Sequence, residues 1–130
     1  MRPFLTLHSP ADARRYYRQG LWRDETLYGL LSKHADERPG DIALQDGRRS
    51  VTWSELREWV NGVAGNLREF GLTGGDRVSI WMSNRVEAIV MFLACAREGI
   101  ACNPSLHKTF TCAEIVELLS SLSARALLTE

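Results

Sequence analysis

Apolar residues recur along this chain with two different periods, and the change from one to the other marks out its elements. Leu27, Leu30, Leu31, His34 and Ala35 fall at i, i+3, i+4, i+7 and i+8, the stripe of an α-helix that stops before Pro39-Gly40-Asp41. Leu56, Trp59, Val60, Val63, Leu67 and Phe70 repeat that spacing, so their face is expected in the core, with Arg57, Glu58 and Arg68 toward water. Thr52-Trp53-Ser54-Glu55 opens this helix as a capping box, the threonine oxygen and the glutamate each satisfying an orphan amide. Thr111-Cys112-Ala113-Glu114 repeats the device before Ile115, Val116, Leu118, Leu119 and Leu122. A shorter helix over residues 10–19 is predicted by Ser9-Pro10 at its start and Gly20 at its stop.

Between the helices the pattern shortens to strands. Ile42-Ala43-Leu44-Gln45 and Ser50-Val51-Thr52 flank Asp46-Gly47-Arg48-Arg49, the composition of a β-hairpin with an Asp-Gly turn. After Gly71 and the turn Gly74-Gly75-Asp76, Arg77 to Met82 reads as a strand. Ser83-Asn84 offers capping oxygens to a helix that is apolar almost without a break from Val86 to Ala96 and is ended by Gly99. Ile100-Ala101-Cys102 is a second strand halted by Asn103-Pro104, so residues 77–102 form one strand-helix-strand crossover, expected to be parallel and right-handed. A last strand spans Ala124 to Thr129. The fold class is therefore α/β, with N-terminal helices and a β-hairpin followed by a βαβαβ parallel-sheet unit.

Composition limits what this unit does. With 130 residues and 45% hydrophobic content, one core and no second domain are expected. Sixteen basic residues balance sixteen acidic ones, and no basic run exceeds Arg14-Arg15 or Arg48-Arg49, so no nucleic-acid partner is expected. Arg14, Arg15 and Arg18 read as a solvated helix face docked by Tyr16 and Tyr17. The longest apolar run, Ala88 to Ala96, is far short of the ~20 residues of a membrane span. The N-terminus turns polar too early for a signal peptide, which makes the cytoplasm the expected compartment.

Candidate chemistry is sparse. Cys95, Cys102 and Cys112 fit neither a disulfide framework nor paired zinc ligands and read as reduced thiols. Cys102 and His107 have the types of a nucleophile and a base but lack an orienting third group. Gly71, Gly74 and Gly75 precede a strand, whereas phosphate-cradling loops open a helix, so this cluster is a turn. The loop from Asn103 to Phe110, with Pro104, His107 and Lys108, follows a strand's carboxyl end and is the one positional candidate for a site. No catalytic, cofactor-binding or metal residue is assigned.

From Gly20 to the end the chain resembles the N-terminal segment of the adenylate-forming enzymes, the superfamily of acyl- and aryl-CoA synthetases, luciferase and peptide-synthetase adenylation domains. The residues that carry the resemblance are Gly20-Leu21-Trp22 with Thr26-Leu27, Arg38-Pro39 with Ile42-Ala43, Thr52 to Leu56, Gly71 with Gly75-Asp76-Arg77-Val78, Asn84, Gly99 and Pro104. Tyr17 to Trp22 and Cys102 to His107 are most similar to the branch acting on aryl or alicyclic acids, such as the cyclohexanecarboxylate and dihydroxybenzoate ligases. The resemblance implies an incomplete portion of the large N-terminal domain of an acid-CoA ligase. For the whole enzyme it implies a small carboxylic acid substrate, ATP, Mg²⁺ and CoA. The family's phosphate-clamping loop, its adenine-binding region and its late catalytic lysine match no position between Met1 and Glu130, so no active-site residue carries over and no cofactor is expected to bind this chain alone. Two alternatives stand beside this reading: a fragment of an aryl-acid adenylating enzyme serving a carrier protein, and a stand-alone α/β binding or interaction module. Helix faces too apolar for a few strands to cover favour a ligase fragment, whose partner is the remainder of the ligase chain.

Overall fold

Four of the five helices in the described residues begin where the adjoining sequence supplies an acceptor for their first amides. In the computed structural model, which describes residues 9–104 and 108–130, Ser9 Oγ accepts from the Asp12 amide at 3.3 Å to start α1 (Pro10–Arg18). Residues 1–8, which carry the signal-peptide argument, and His107 lie outside the described residues. Thr26 Oγ1 accepts from the Gly29 amide at 2.9 Å and caps α2 (Leu27–Glu37). Both expected capping boxes are formed. Thr52 Oγ1 accepts from the Glu55 amide at 3.3 Å while Glu55 accepts from the Thr52 amide at 2.8 Å, opening α3 (Trp53–Glu69). Thr111 and Glu114 do the same for α5 (Cys112–Leu122).

The hairpin is β1 (Ile42–Gln45) paired antiparallel with β2 (Ser50–Thr52). The second sheet contains β3 (Arg77–Trp81), β4 (Ala101–Asn103) and β5 (Ala126–Thr129) in the order β4-β3-β5, both pairings parallel. Val78 at its centre faces Cys102 on one side and Ala126 on the other. Between β3 and β4 runs α4 (Val86–Glu98), closed by Gly99 at φ +68°. The glycine cluster is a turn as expected: Gly75 donates to the Gly99 carbonyl at 2.9 Å, pinning the β3 entry to the end of α4. α3 and α4 meet in the core through Leu56, Val60, Ala64, Val90, Ala94 and Cys95, all buried. Among the described residues no helix is long and apolar enough to cross a membrane.

Four details depart from the periodicity. Leu31 and Ala35 are buried, but Leu27 and Leu30 on the same stripe are exposed. Phe70 is 81% exposed, because it sits at the end of α3 where Gly71, at φ +78°, turns the chain away. Replacing Phe70 by serine should therefore change unfolding stability by no more than about 0.5 kcal/mol in a urea titration; a loss several times larger would mean that this ring is covered. On α5 only Ile115 is buried and Val116 is 65% exposed, so the apolar stripe there is mostly uncovered.

The fourth departure concerns the start of α4. Its N-cap is Arg85, which makes no side-chain cap bond, and neither Ser83 nor Asn84 takes the capping role. Ser83 donates instead to Glu130, and Asp46 of the hairpin turn accepts the Val86 amide at 3.1 Å. Asp46 also accepts the amides of Arg48 at 2.8 Å and Arg49 at 3.0 Å, so one carboxylate shapes the hairpin turn and fastens it to α4.

Candidate functional site

The order β4-β3-β5 means that the chain leaves the central strand toward one edge and returns to the other, so the carboxyl ends of β3 and β5 lie side by side without a direct crossover between them. Open α/β sheets bind ligands in the crevice that this reversal creates. Here the crevice holds about 330 Å³ and is lined by Trp81, Met82 and Ser83 after β3, Thr129 and Glu130 at β5, and Lys108 from the loop after β4. The Ser83 amide donates to Glu130 Oε1 at 2.6 Å, and the Ser83 hydroxyl donates to the same oxygen. These two bonds, with the nearby Arg85 and Lys108 charges, hold the Glu130 carboxyl below its ordinary pKa. The Ser83 amide and hydroxyl converge on the Glu130 carboxylate, and Lys108 lines the same crevice, an arrangement that orients an anionic or polar group.

Of the loop singled out in the sequence, Lys108 enters this crevice and Pro104 lines a different one. Trp81, Met82, Ser83, Thr129 and Glu130 carry no motif that marks them as site residues. Their only advance signal is the position of strand ends, and which ends become neighbours depends on the strand order. A second concavity, about 460 Å³, runs between the hairpin and the first turns of α4, with Leu44, Ile89, Phe92 and Pro104 in its lining. Charges stand at its margin: Glu87 Oε1 pairs with Arg85 and with Arg49, each at 3.2 Å. An apolar trough of this kind suits polypeptide packing better than chemistry.

The remaining candidates are resolved by packing. Tyr16 and Tyr17 lie against Trp22, with ring centroids 5.1 and 5.8 Å away, and no residue of α1 is buried. The tyrosines thus dock onto the following loop and not onto the core. His34 packs on Trp53 at 4.8 Å, a boundary contact. All three cysteines are free thiols, with Cys95 buried, Cys102 half-buried and Cys112 exposed. Among the described residues no three His, Cys, Asp or Glu side chains gather into a group able to hold a metal ion.

A parallel α/β unit with a crevice at the reversal of its strand order, preceded by a hairpin and capped helices, defines an open α/β domain. The family model described as AMP-binding enzyme matches residues 31–130, and the chain belongs to that family. It is 33% identical over 89 residues to enterobactin synthase component E of Escherichia coli (strain K12), covering 68% of this chain and 16% of that protein. It is 34% identical over 89 residues to a protein of Streptomyces sp named salicylyl-CoA synthase / salicylate adenylyltransferase, with the same coverage of 68% and 16%. Among solved structures, the apo structure of Mycobacterium smegmatis MbtA superposes with a TM-score of 0.81 at 30% identity, covering 92% of this chain and 23% of that one. The matches thus span between a sixth and a quarter of these relatives.

Proposed function

We propose that this chain is the N-terminal portion of a ligase that activates a small carboxylic acid with ATP and passes the acyl group to the thiol of CoA. The observation that carries the reading is the family match over residues 31–130. The name of the Streptomyces relative, which joins an aryl acid to CoA, supports the choice of acid and acceptor. In such a reaction a carboxylate oxygen attacks the α-phosphorus of ATP and pyrophosphate leaves; a thiol sulfur then attacks the acyl carbon and AMP leaves. The cytoplasm, which supplies ATP and CoA, is the setting that goes with it. On this reading the family's phosphate-clamping loop and catalytic lysine belong to other parts of the ligase, and this chain's own part is structural. It contributes the sheet and the crevice around Ser83 and Lys108. The second half of the same relative's name, salicylate adenylyltransferase, stops at the adenylyl transfer and names no acceptor, so it is equally compatible with a second reading in which the activated acid goes to a carrier-protein thiol.

Acid-dependent exchange of labelled pyrophosphate into ATP tests the proposal. The pure 130-residue chain should show none with salicylate, benzoate, cyclohexanecarboxylate or acetate. A chain extended in frame through the downstream coding sequence should show exchange with at least one acid and form acyl-CoA when CoA is added. Exchange by the 130-residue chain itself, or a downstream sequence without a Ser/Thr/Gly-rich loop and lysine, would overturn the proposal. Transfer to a carrier protein but not to CoA would select the second reading.

A further inference from the structure

Among the described residues Ser79 is the one buried polar residue, 1% exposed, and its Oγ has no hydrogen-bond partner. It stands in β3, the central strand of its sheet, level with Asn103 of β4. Side chains alternate along a strand and partners in a ladder share a face, so Arg77, Ser79, Ala101 and Asn103 project to one side of the sheet. Val78 and Cys102 project to the other, where they meet the cluster built by α3 and α4. On the Ser79 side the wall is the end of α5, where the Arg77 guanidinium donates to the Leu122 carbonyl at 3.1 Å. Sheet and helix end do not close on each other: a cavity of about 160 Å³ remains, with Ser79, Ala101, Asn103 and Leu122 in its lining.

A buried hydroxyl without a partner costs stability that alanine in the same place would not, so a group that supplies the missing bond is favoured there. Water fits poorly, since a buried water makes roughly three hydrogen bonds and the lining surface here is mostly apolar. An apolar cavity of about 150 Å³ takes one benzene ring. We propose that the cavity between β3, β4 and the end of α5 binds a single-ring phenol, its ring filling the apolar space and its hydroxyl hydrogen-bonded to Ser79 Oγ. Serine Oγ both donates and accepts, so it meets a phenolic O–H in either sense. Benzene itself would leave the hydroxyl unpaired, and a carboxylate would give up its hydration beside a guanidinium already bonded to the Leu122 carbonyl. The inference does not rest on the ligase proposal, because every group it uses lies within this α/β unit.

Phenol and toluene, which differ by a hydroxyl in place of a methyl group, test it on the whole 130-residue chain by amide NMR titration. Phenol should shift the backbone amides of Ser79, Ala101 and Asn103 saturably. Ser79→Ala removes only the unpartnered hydroxyl, so its melting temperature should equal or exceed that of the wild type. Its phenol-to-toluene affinity ratio should fall about fivefold, the worth of one hydrogen bond. Leu122→Trp, which fills the cavity from α5 and leaves the hydroxyl in place, should abolish the shifts with both ligands. The proposal is overturned if phenol gives no saturable shift at these amides, or if Leu122→Trp leaves phenol binding unchanged. It is equally overturned if Ser79→Ala keeps the wild-type affinity ratio, or melts below the wild type and so reveals a hydroxyl that already has a partner.

Discussion

Leu56→Ala lowers the free energy of unfolding by about 3 kcal/mol, within the range of leucine truncations in well-packed cores. Leu56 is 2% exposed and belongs to the central cluster, on the face of α3 that packs against α4, α2 and the hairpin. The substitution removes buried methyl groups and leaves a cavity that two helices and a hairpin cannot close together. A domain of this size has about 5–15 kcal/mol of stability, so the loss is a large fraction of the total and should move a urea midpoint visibly at unchanged m-value. A change below about 1 kcal/mol would mean that α3 is not seated as described. The comparison with Phe70→Ser makes the experiment specific: two large apolar residues on one predicted stripe, one sealed and one in water, should differ several-fold in cost.

The second large effect belongs to Asp46. Its carboxyl is held below the ordinary aspartate value of 3.8, first by the Val86 amide and then by the Arg48 amide, with burial opposing them and the Arg49 amide and charge adding smaller effects. A carboxyl whose pKa is lower in the folded chain stabilises it above the unfolded value. That contribution is lost as pH falls from 3.8 through the folded value, where the unfolded chain takes up the proton first. Glu55, Asp76 and Glu114 shift in the same direction for the same kind of reason, amides of Thr52, Thr73 and Thr111 donating to them. Thermal melts should therefore fall steeply below the ordinary glutamate value of 4.5. Asp46→Asn should lower stability at neutral pH and flatten the acid limb, and it should speed hydrogen exchange at the Val86 amide. If the Asp46→Asn chain instead kept the wild-type acid limb, this carboxylate would not be the link between hairpin and α4.

Much of the chain is readable because its signals are local. Thr52 with Glu55 and Thr111 with Glu114 are three residues apart, so the amide and its acceptor meet as soon as a first turn forms, whatever surrounds it. Gly99 after an apolar run, and an Asp-Gly turn between two short β-rich runs, act over equally few residues, and helices, hairpin and parallel strands lie where they are expected. The family resemblance rests on the same ordered local signals, and the match over residues 31–130 agrees with it.

Contacts between distant segments are a different matter. The acceptor that caps α4 comes from Asp46, 40 residues earlier, and the partner of Ser83 is Glu130, 47 residues later. Local capping rules point to Ser83-Asn84 because they count only neighbours in sequence. A stripe such as Leu56 to Phe70 says which side chains share a face but not how far a neighbour covers it; coverage by α4 stops before Phe70. The crevice lined by Trp81, Ser83, Lys108 and Glu130 exists because β5 joins β3 on the side away from β4. Backbone propensity and capping act within a turn or two and so are written in the order of residues, whereas burial, strand order and site geometry depend on which surfaces exclude water together, and that is settled only when the whole chain packs.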